Sequence, residues 1–264
     1  MSSDNHNSDK VLIFDVGGPM AHFRKFFTNS SSLSYLFPPR TVVVGLIAGL
    51  LGFPSERHTK EKNDIYYEKF DEKRSLVAVS LRSKNRRIMQ TINYIRTKSL
   101  SEIDGSAGGT QIPLEILLPE NGIEITYRVY FYHEDKAIYN KLKERLKEGG
   151  FVYPPYMGLT EFLATIDYID EGIVSKNPKQ EVELNSVCKI MDVEEFDFSG
   201  KDLHYIVELM PTGFLNDRTP KKPERYVTEI NSKPIRVILK DSATSYSVDY
   251  SENGCRLIEN IMLM

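Results

Sequence analysis

Two stretches of this 264-residue chain carry cations and aromatic rings but no carboxylate. From Val16 to Ser55 there is no Asp or Glu, although 27% of all residues are charged. Within that stretch His22, Arg24, Lys25 and Arg40 stand among Phe23, Phe26, Phe27, Tyr35 and Phe37. Residues 82–98 repeat the pattern: Arg82, Lys84, Arg86, Arg87, Arg96 and Lys98 surround Met89 and Tyr94, again without an acid. Cations contact phosphates and aromatic faces stack on bases, so both stretches suit single-stranded nucleic acid. Gly17 and Gly18 add backbone that a phosphate can approach closely, because no side chain intervenes. His22, Arg24 and Lys25 offer donors, Tyr35 a stacking face, and Arg40 at a helix start can grip a phosphate together with free amides. The alternatives are a buried loop between strand and helix for the first stretch, and a solvated charged hairpin for the second. A third cationic group, Arg218, Lys221, Lys222 and Arg225 after Met210–Phe214, reads more simply as a surface loop.

The whole chain has a net charge of −3, so a nucleic-acid role rests on local patches rather than a global field. Asp167 to Glu208 holds 11 acidic and 4 basic residues and would repel a polyanion. The two cysteines, Cys188 and Cys255, have no neighbouring histidine, which gives no metal-ligand spacing and fits a reducing, cytoplasmic compartment. Residues 1–9 are polar, are expected to be disordered and lack the apolar core of a signal peptide. The longest apolar run, Val42 to Phe53, is about half a membrane span, so a soluble protein is expected.

The elements that must position these residues follow from periodicity. Lys10–Val16 reads as a buried strand, followed by a long loop to Arg40. Thr41 is a candidate cap for a helix over Val42–Leu51, with Gly45 and Gly49 on one face where another element can approach, and Gly52 ends it. Residues 56–74, charged with mixed sign, read as a solvated loop or edge strand. Leu76–Leu81 and Ile123–Phe131 read as strands, Asp135–Glu148 as a helix with Ile138, Leu142 and Leu146 on one face, and Phe162–Ile169 as the next strand. The order strand, helix, strand, strand, helix, strand is the ferredoxin-like or RRM-like plan. The expectation is an α+β protein: an RRM-like domain over 10–175 with a long basic hairpin arm at about 82–110, then a β-rich C-terminal domain over 176–264. The apolar end, Leu257–Met264, reads as a final core strand, with a docking tail as the alternative.

The residue order says more than the composition. The strand Val11–Val16, the run Gly18-Pro19-Met20-Ala21-His22-Phe23-Arg24-Lys25-Phe26, the segment Ser34-Tyr35-x-Phe37-Pro38-Pro39-Arg40-Thr41 and the helix Gly45–Gly52 resemble the N-terminal signature of the CRISPR-associated RAMP proteins. The resemblance is to Cas family five of type I surveillance complexes (Cascade), type I-B in particular. Pro155-Tyr156-Met157-Gly158-Leu159-Thr160-Glu161-Phe162-Leu163-Ala164 resembles a second family segment, and Tyr156, Gly158 and Phe162 in it read as structural. What the resemblance implies is a non-catalytic subunit in antiviral defence that caps the 5′ handle of guide RNA (crRNA), with the arm as a thumb holding that RNA. Implied partners are crRNA, the repeated backbone subunit, the large subunit and, through the complex, target DNA; no membrane, metal or cofactor is implied. A type I-C branch of the family cuts repeat RNA with Tyr, His and Lys. His22, Lys25 and Tyr35, or His133 with Lys136, are the matching residue types here, so a metal-independent endoribonuclease is the alternative.

Overall fold

The computed structural model describes residues 10–54, 65–95, 99–106, 108–199, 202–215 and 217–264. Strand β1 (Lys10–Gly18) is buried on both faces, which explains its almost uninterrupted apolar run. Leu12, Phe14 and Val16 join the main core, and Val11 and Ile13 a second cluster. The segment expected as a long loop contains a two-residue hairpin, β2 (Phe23–Arg24) with β3 (Ser34–Tyr35). Helix α1 (Arg40–Leu51) follows, packed into the core through Val43, Val44, Ile47, Leu50 and Leu51. That burial outweighs the weak helix preference of its valines. Pro39, not Thr41, is the N-cap, with no side-chain cap bond, while Gly52 ends the helix at φ 81°. No described element packs closely against the glycine face. A Cβ at Gly49 would meet nothing within 4 Å among the described residues, and one at Gly45 only the Tyr66 hydroxyl at 3.9 Å.

Within 56–74, residues 56–64 lie outside the described residues, and Tyr66–Lys69 forms a one-turn helix, α2. Strand β4 (Ser75–Leu81) leads into a two-stranded antiparallel ribbon, β5 (Asn85–Ile95) with β6 (Gly109–Pro119), in which Arg87 opposes Leu117 and Tyr94 opposes Thr110. Strand β7 (Ile125–His133) and helix α3 (Lys136–Glu148) come next. The Asp135 side chain caps α3 by accepting from the Ala137 amide at 2.8 Å, and Leu142 and Leu146 are buried on its inner face.

Strand β8 (Thr165–Lys176) leads to the short strands β9 (Glu181–Leu184), β10 (Cys188–Lys189) and β11 (Val193–Phe196). They are followed by β12 (Tyr205–Met210), β13 (Glu224–Glu229), β14 (Ile235–Leu239), β15 (Tyr246–Glu252) and β16 (Cys255–Ile261). The main sheet has the order β16-β15-β8-β1-β7-β4, all neighbours antiparallel, so strands from both halves of the chain share it across residue 176. Two three-stranded sheets, β10-β13-β12 and β11-β14-β9, make up the remainder of the C-terminal half. The chain end returns to the far edge of the main sheet, where Met264 and Val77 exchange two backbone hydrogen bonds of 2.7 and 3.3 Å. Met264 is buried in the main core and Met262 in the cluster of the C-terminal half, while Leu257 and Ile258 of the same apolar run are exposed. No described helix is long and apolar enough to cross a membrane.

Candidate nucleic-acid interface

The β2–β3 segment lies along the ribbon as a third, irregular strand. Ala21 and Leu117 exchange backbone hydrogen bonds of 3.1 and 2.9 Å, Ser32 donates to the Pro113 carbonyl at 2.8 Å, and Glu115 donates back to Ser32 at 2.9 Å. Arg87 opposes Leu117 across the ribbon, so the two acid-free stretches are separated only by β6. The later signature segment locks the arrangement from the other side. Gly158, at φ +92°, lies so close to the His22 carbonyl that a Cβ there would fall 1.7 Å from its oxygen. No other residue fits. Phe162 is buried with Leu114 and Ile116 at the ribbon base, while Tyr156 is 44% exposed.

Most of the expected contacts in the first stretch are not surface groups. Gly17 and Gly18 are buried at the end of β1, where Cβ atoms would strike the Thr165 hydroxyl at 2.9 Å and the Leu163 carbonyl at 2.8 Å. Their absent side chains serve packing, not a phosphate. His22 is buried, its Nδ1 at 2.7 Å from the Glu115 carbonyl and Nε2 at 2.9 Å from the Ser32 hydroxyl. Burial lowers its pKa, against the smaller raising effect of its Glu115 backbone bond. Tyr35 is 1% exposed and donates to the Leu209 carbonyl at 2.8 Å, so its ring offers no stacking face. Burial pushes its hydroxyl up to about 12. Arg40 is buried and donates to the carbonyls of Met264 (3.2 Å), Phe70 (2.8 Å) and Ser75 (2.8 Å) and to the Ser75 hydroxyl (2.9 Å), which leaves it no phosphate to grip. Lys25 is paired with Glu208 at 2.5 Å. Arg24 alone of this stretch's expected donors is exposed, with one long contact of 3.4 Å to the Thr28 carbonyl. Beyond it Phe26 and Phe27 form an exposed edge-to-face pair, centroids 5.2 Å apart.

The second stretch divides differently. Arg82 is used inside the main sheet, where it donates to Glu259 at 2.5 Å and to the Tyr130 hydroxyl at 3.0 Å. Its neighbour there, Arg128, is held by Asp15, Glu252 and Tyr250. Burial opposes the charge of Arg82, yet the Glu259 hydrogen bond and carboxylate raise its pKa overall. Lys84 pairs with Glu120 at 3.0 Å across a surface where both are about two-fifths exposed, and Arg87 pairs with Glu208 at 2.9 Å. Arg86 is exposed and has no ion-pair partner among the described residues. Tyr94 is 47% exposed and Met89 53%. Arg96 and Lys98 lie outside the described residues.

The remaining candidate for chemistry is equally engaged. His133 is buried, with Nε2 at 3.0 Å from the Lys69 carbonyl and Nδ1 accepting from the Asp135 amide at 2.9 Å; burial lowers its pKa. What remains available is a ribbon with a cation, Arg86, that has no ion-pair partner among the described residues, and exposed side chains of stacking or wedging type, beside a loop carrying one exposed cation and a phenylalanine pair. Such a surface binds a flexible polyanion without reading its sequence. The acids that neutralise Lys25, Arg87 and Arg82, namely Glu208 and Glu259, lie far away in sequence and carry no local signal. Only Glu208 falls within the acid-rich stretch from Asp167 to Glu208; nothing in the sequence hinted at Glu259.

The family model described as CRISPR-associated protein (Cas_Cas5) matches residues 11–238. No curated protein matches the sequence. Among solved structures, a CRISPR protein from Archaeoglobus fulgidus is similar with a TM-score of 0.52 at 15% identity, over 95% of this chain and 98% of that one. A chain of a CRISPR RNA-guided surveillance complex is similar with a TM-score of 0.46 at 12% identity, over 86% of this chain and 90% of that one. At 15% identity the likeness to the Archaeoglobus fulgidus protein speaks for the fold alone.

Proposed function

This chain belongs to the Cas5 family of CRISPR-associated proteins, and from that premise we propose that it is a non-catalytic crRNA-binding subunit of a type I surveillance complex. In this reading it caps the 5′ handle of the guide, with type I-B as the subtype suggested by its signature residues. Its place is the cytoplasm, beside the backbone and large subunits, with the choice of target left to base pairing. The β8-β1-β7-β4 order with α1 and α3 is read as the ferredoxin-like, RRM-like unit. The β5–β6 ribbon is read as its RNA-holding arm.

The observation that carries this reading is β5 itself: an 11-residue strand with no carboxylate that presents Arg86 and Tyr94 to solvent. An even separation puts these two side chains on one face of the strand, where a phosphate contact and a stacked base can be made by the same RNA. The engagement of His22, His133, Tyr35 and Lys25 supports the non-catalytic part, although Lys136 beside His133 is exposed. A general base needs a free lone pair within reach of the 2′-hydroxyl, and both nitrogens of His22 and of His133 are already bonded. The hydroxyl of Tyr35 and the ammonium of Lys25 are likewise committed.

The test is a gel series with end-labelled repeat RNA, purified protein and a chelator, at low and moderate salt. Retarded, intact RNA with preference for the handle end is expected. Discrete cleavage products would overturn the non-catalytic reading, and absence of any retardation would overturn RNA binding.

A further inference from the structure

Glu208 stands on β12, in the part of the sequence richest in acids, yet its carboxylate is where the two acid-free stretches meet. Its side chain is 3% exposed. Lys25 of the β2–β3 segment donates to Oε2 at 2.5 Å, and Arg87 of the ribbon donates to Oε1 at 2.9 Å. Each oxygen therefore holds one cation from one stretch. The backbone beside it reinforces the joint: the Leu209 carbonyl accepts from Tyr35, and the Lys25 ammonium lies 5.5 Å from the centre of the Tyr35 ring. Without the carboxylate, Lys25 and Arg87 would be like charges sharing a partly buried space, and the loop and ribbon would repel each other there.

We propose that Glu208 is a positioning residue for RNA binding: it ties the β2–β3 segment to the ribbon, so that Arg24 and Arg86, the exposed neighbours of the two tied cations, keep a fixed spacing toward the phosphates. The inference rests on the RNA-binding reading above. An opposite role, in which Glu208 stands in for a phosphate and yields Lys25 and Arg87 to incoming RNA, runs against its burial. Displaced, the carboxylate would be left with no cation in a place that water scarcely reaches, and stranding a buried charge is strongly unfavourable. The cations that Glu208 holds are thus spent on architecture, and their charge is not offered to RNA.

The experiment combines RNA titration over a range of salt with limited trypsin digestion, on the full chain and using repeat RNA as the probe. Glu208→Gln keeps the shape of the side chain and removes its charge. It is expected to bind about tenfold more weakly, as befits a tenfold drop in the population of the competent arrangement, with an unchanged slope of log K against log salt. Trypsin should cut faster after Lys25 in this variant, whether or not RNA is present. Lys25→Met, which frees the loop but leaves Arg87 on Glu208, is the second variant should the first fail to fold. It too should weaken binding without changing the slope. If Glu208→Gln binds as tightly as wild type, or more tightly with a slope steeper by about two, the positioning role is overturned while RNA binding stands. If wild type binds no RNA, the RNA-binding reading falls and the positioning role falls with it, even where the trypsin result reveals the tether.

Discussion

The two acid-free stretches look alike in composition and differ in what their cations face. From Val16 to Arg40 the cations point mostly inward. Arg40 satisfies three carbonyls and a hydroxyl, and Lys25 neutralises a buried carboxylate. Along the ribbon, Arg86 meets no internal acceptor among the described residues, and Tyr94 stands out in solvent. A lack of acids therefore has two physical origins. In the loop, a carboxylate would be buried among backbone groups with few donors left to hold it, a costly position. On the ribbon, a carboxylate would simply repel the polyanion that the surface is read to bind. What separates the two is the number of protein acceptors each cation already has.

The largest effect that would test this division lies at Arg40. Arg40→Met keeps the apolar stem but leaves the carbonyls of Met264, Phe70 and Ser75 without their charged donor. Hydrogen bonds to charged groups contribute about 1.5–3 kcal/mol each, and a buried acceptor left unmet adds its own penalty, so a loss of about 3 kcal/mol is a conservative expectation. Urea denaturation would show it as a lower midpoint. Since Met264 and Ser75 secure the closure of the main sheet, the damage should be global. The salt dependence of RNA binding by the fraction that folds should not change. A variant with wild-type stability and a shallower salt slope would mean that Arg40 meets phosphate after all.

Arg86→Ala should give the reverse result. An exposed side chain without an internal partner changes stability by no more than about 0.5 kcal/mol. Its loss should weaken RNA binding a few-fold and lower the slope of log K against log salt by about one, the mark of one phosphate contact removed. Lys84→Ala sharpens the contrast, because the Lys84–Glu120 pair is half-solvated and its charge is shared between protein and water. A smaller change in slope is expected there. Equal slopes for Arg86→Ala and wild type would remove the ribbon from the interface and make Arg86 an ordinary solvated charge.

The sequence showed the elements well where their period was clean. β1 and α3 match the strand read at Lys10–Val16 and the helix read at Asp135–Glu148, while the strand read at Ile123–Phe131 runs from Ile125 to His133 and leaves Ile123 exposed. The terminal Leu257–Met264 run, read as a final core strand, is core only in part: Ile261, Met262 and Met264 are buried, and Leu257 and Ile258 are exposed. The side-chain roles were much less legible. His22, Tyr35 and Arg40 are residue types common at RNA surfaces, and nothing local distinguishes a tyrosine that stacks from one that donates to the Leu209 carbonyl, 174 positions away. The spent cations depend on Glu208 and Glu259, whose partners are 121 to 183 positions distant. Long-range pairing of that kind leaves no trace in spacing. The close approach at Gly158 is another example: the glycine is visible, but the carbonyl it makes room for belongs to His22.

The smallest effect is a pH dependence, and it also separates the loop from the ribbon. His22 and His133 both have pKa values lowered from 6.5 by burial. Below 6.5 the unfolded chain therefore binds more protons than the folded one, and ∂ΔG/∂pH is positive. Their contribution to stability is complete above 6.5 and is lost as the pH falls through the lowered folded values. The melting temperature should decline from about pH 7.5 to about pH 5.5, and His22→Gln should decline less steeply. RNA binding belongs to the other side of the comparison. The described ribbon residues include no histidine, so affinity at fixed salt should hold over the part of this range where the protein remains folded. Affinity that rises on acidification, and no longer does so in His22→Gln, would mean that His22 gains a proton in contact with phosphate. The loop would then be a binding surface like the ribbon, and the distinction between inward and outward cations would fail at the residue where it is sharpest.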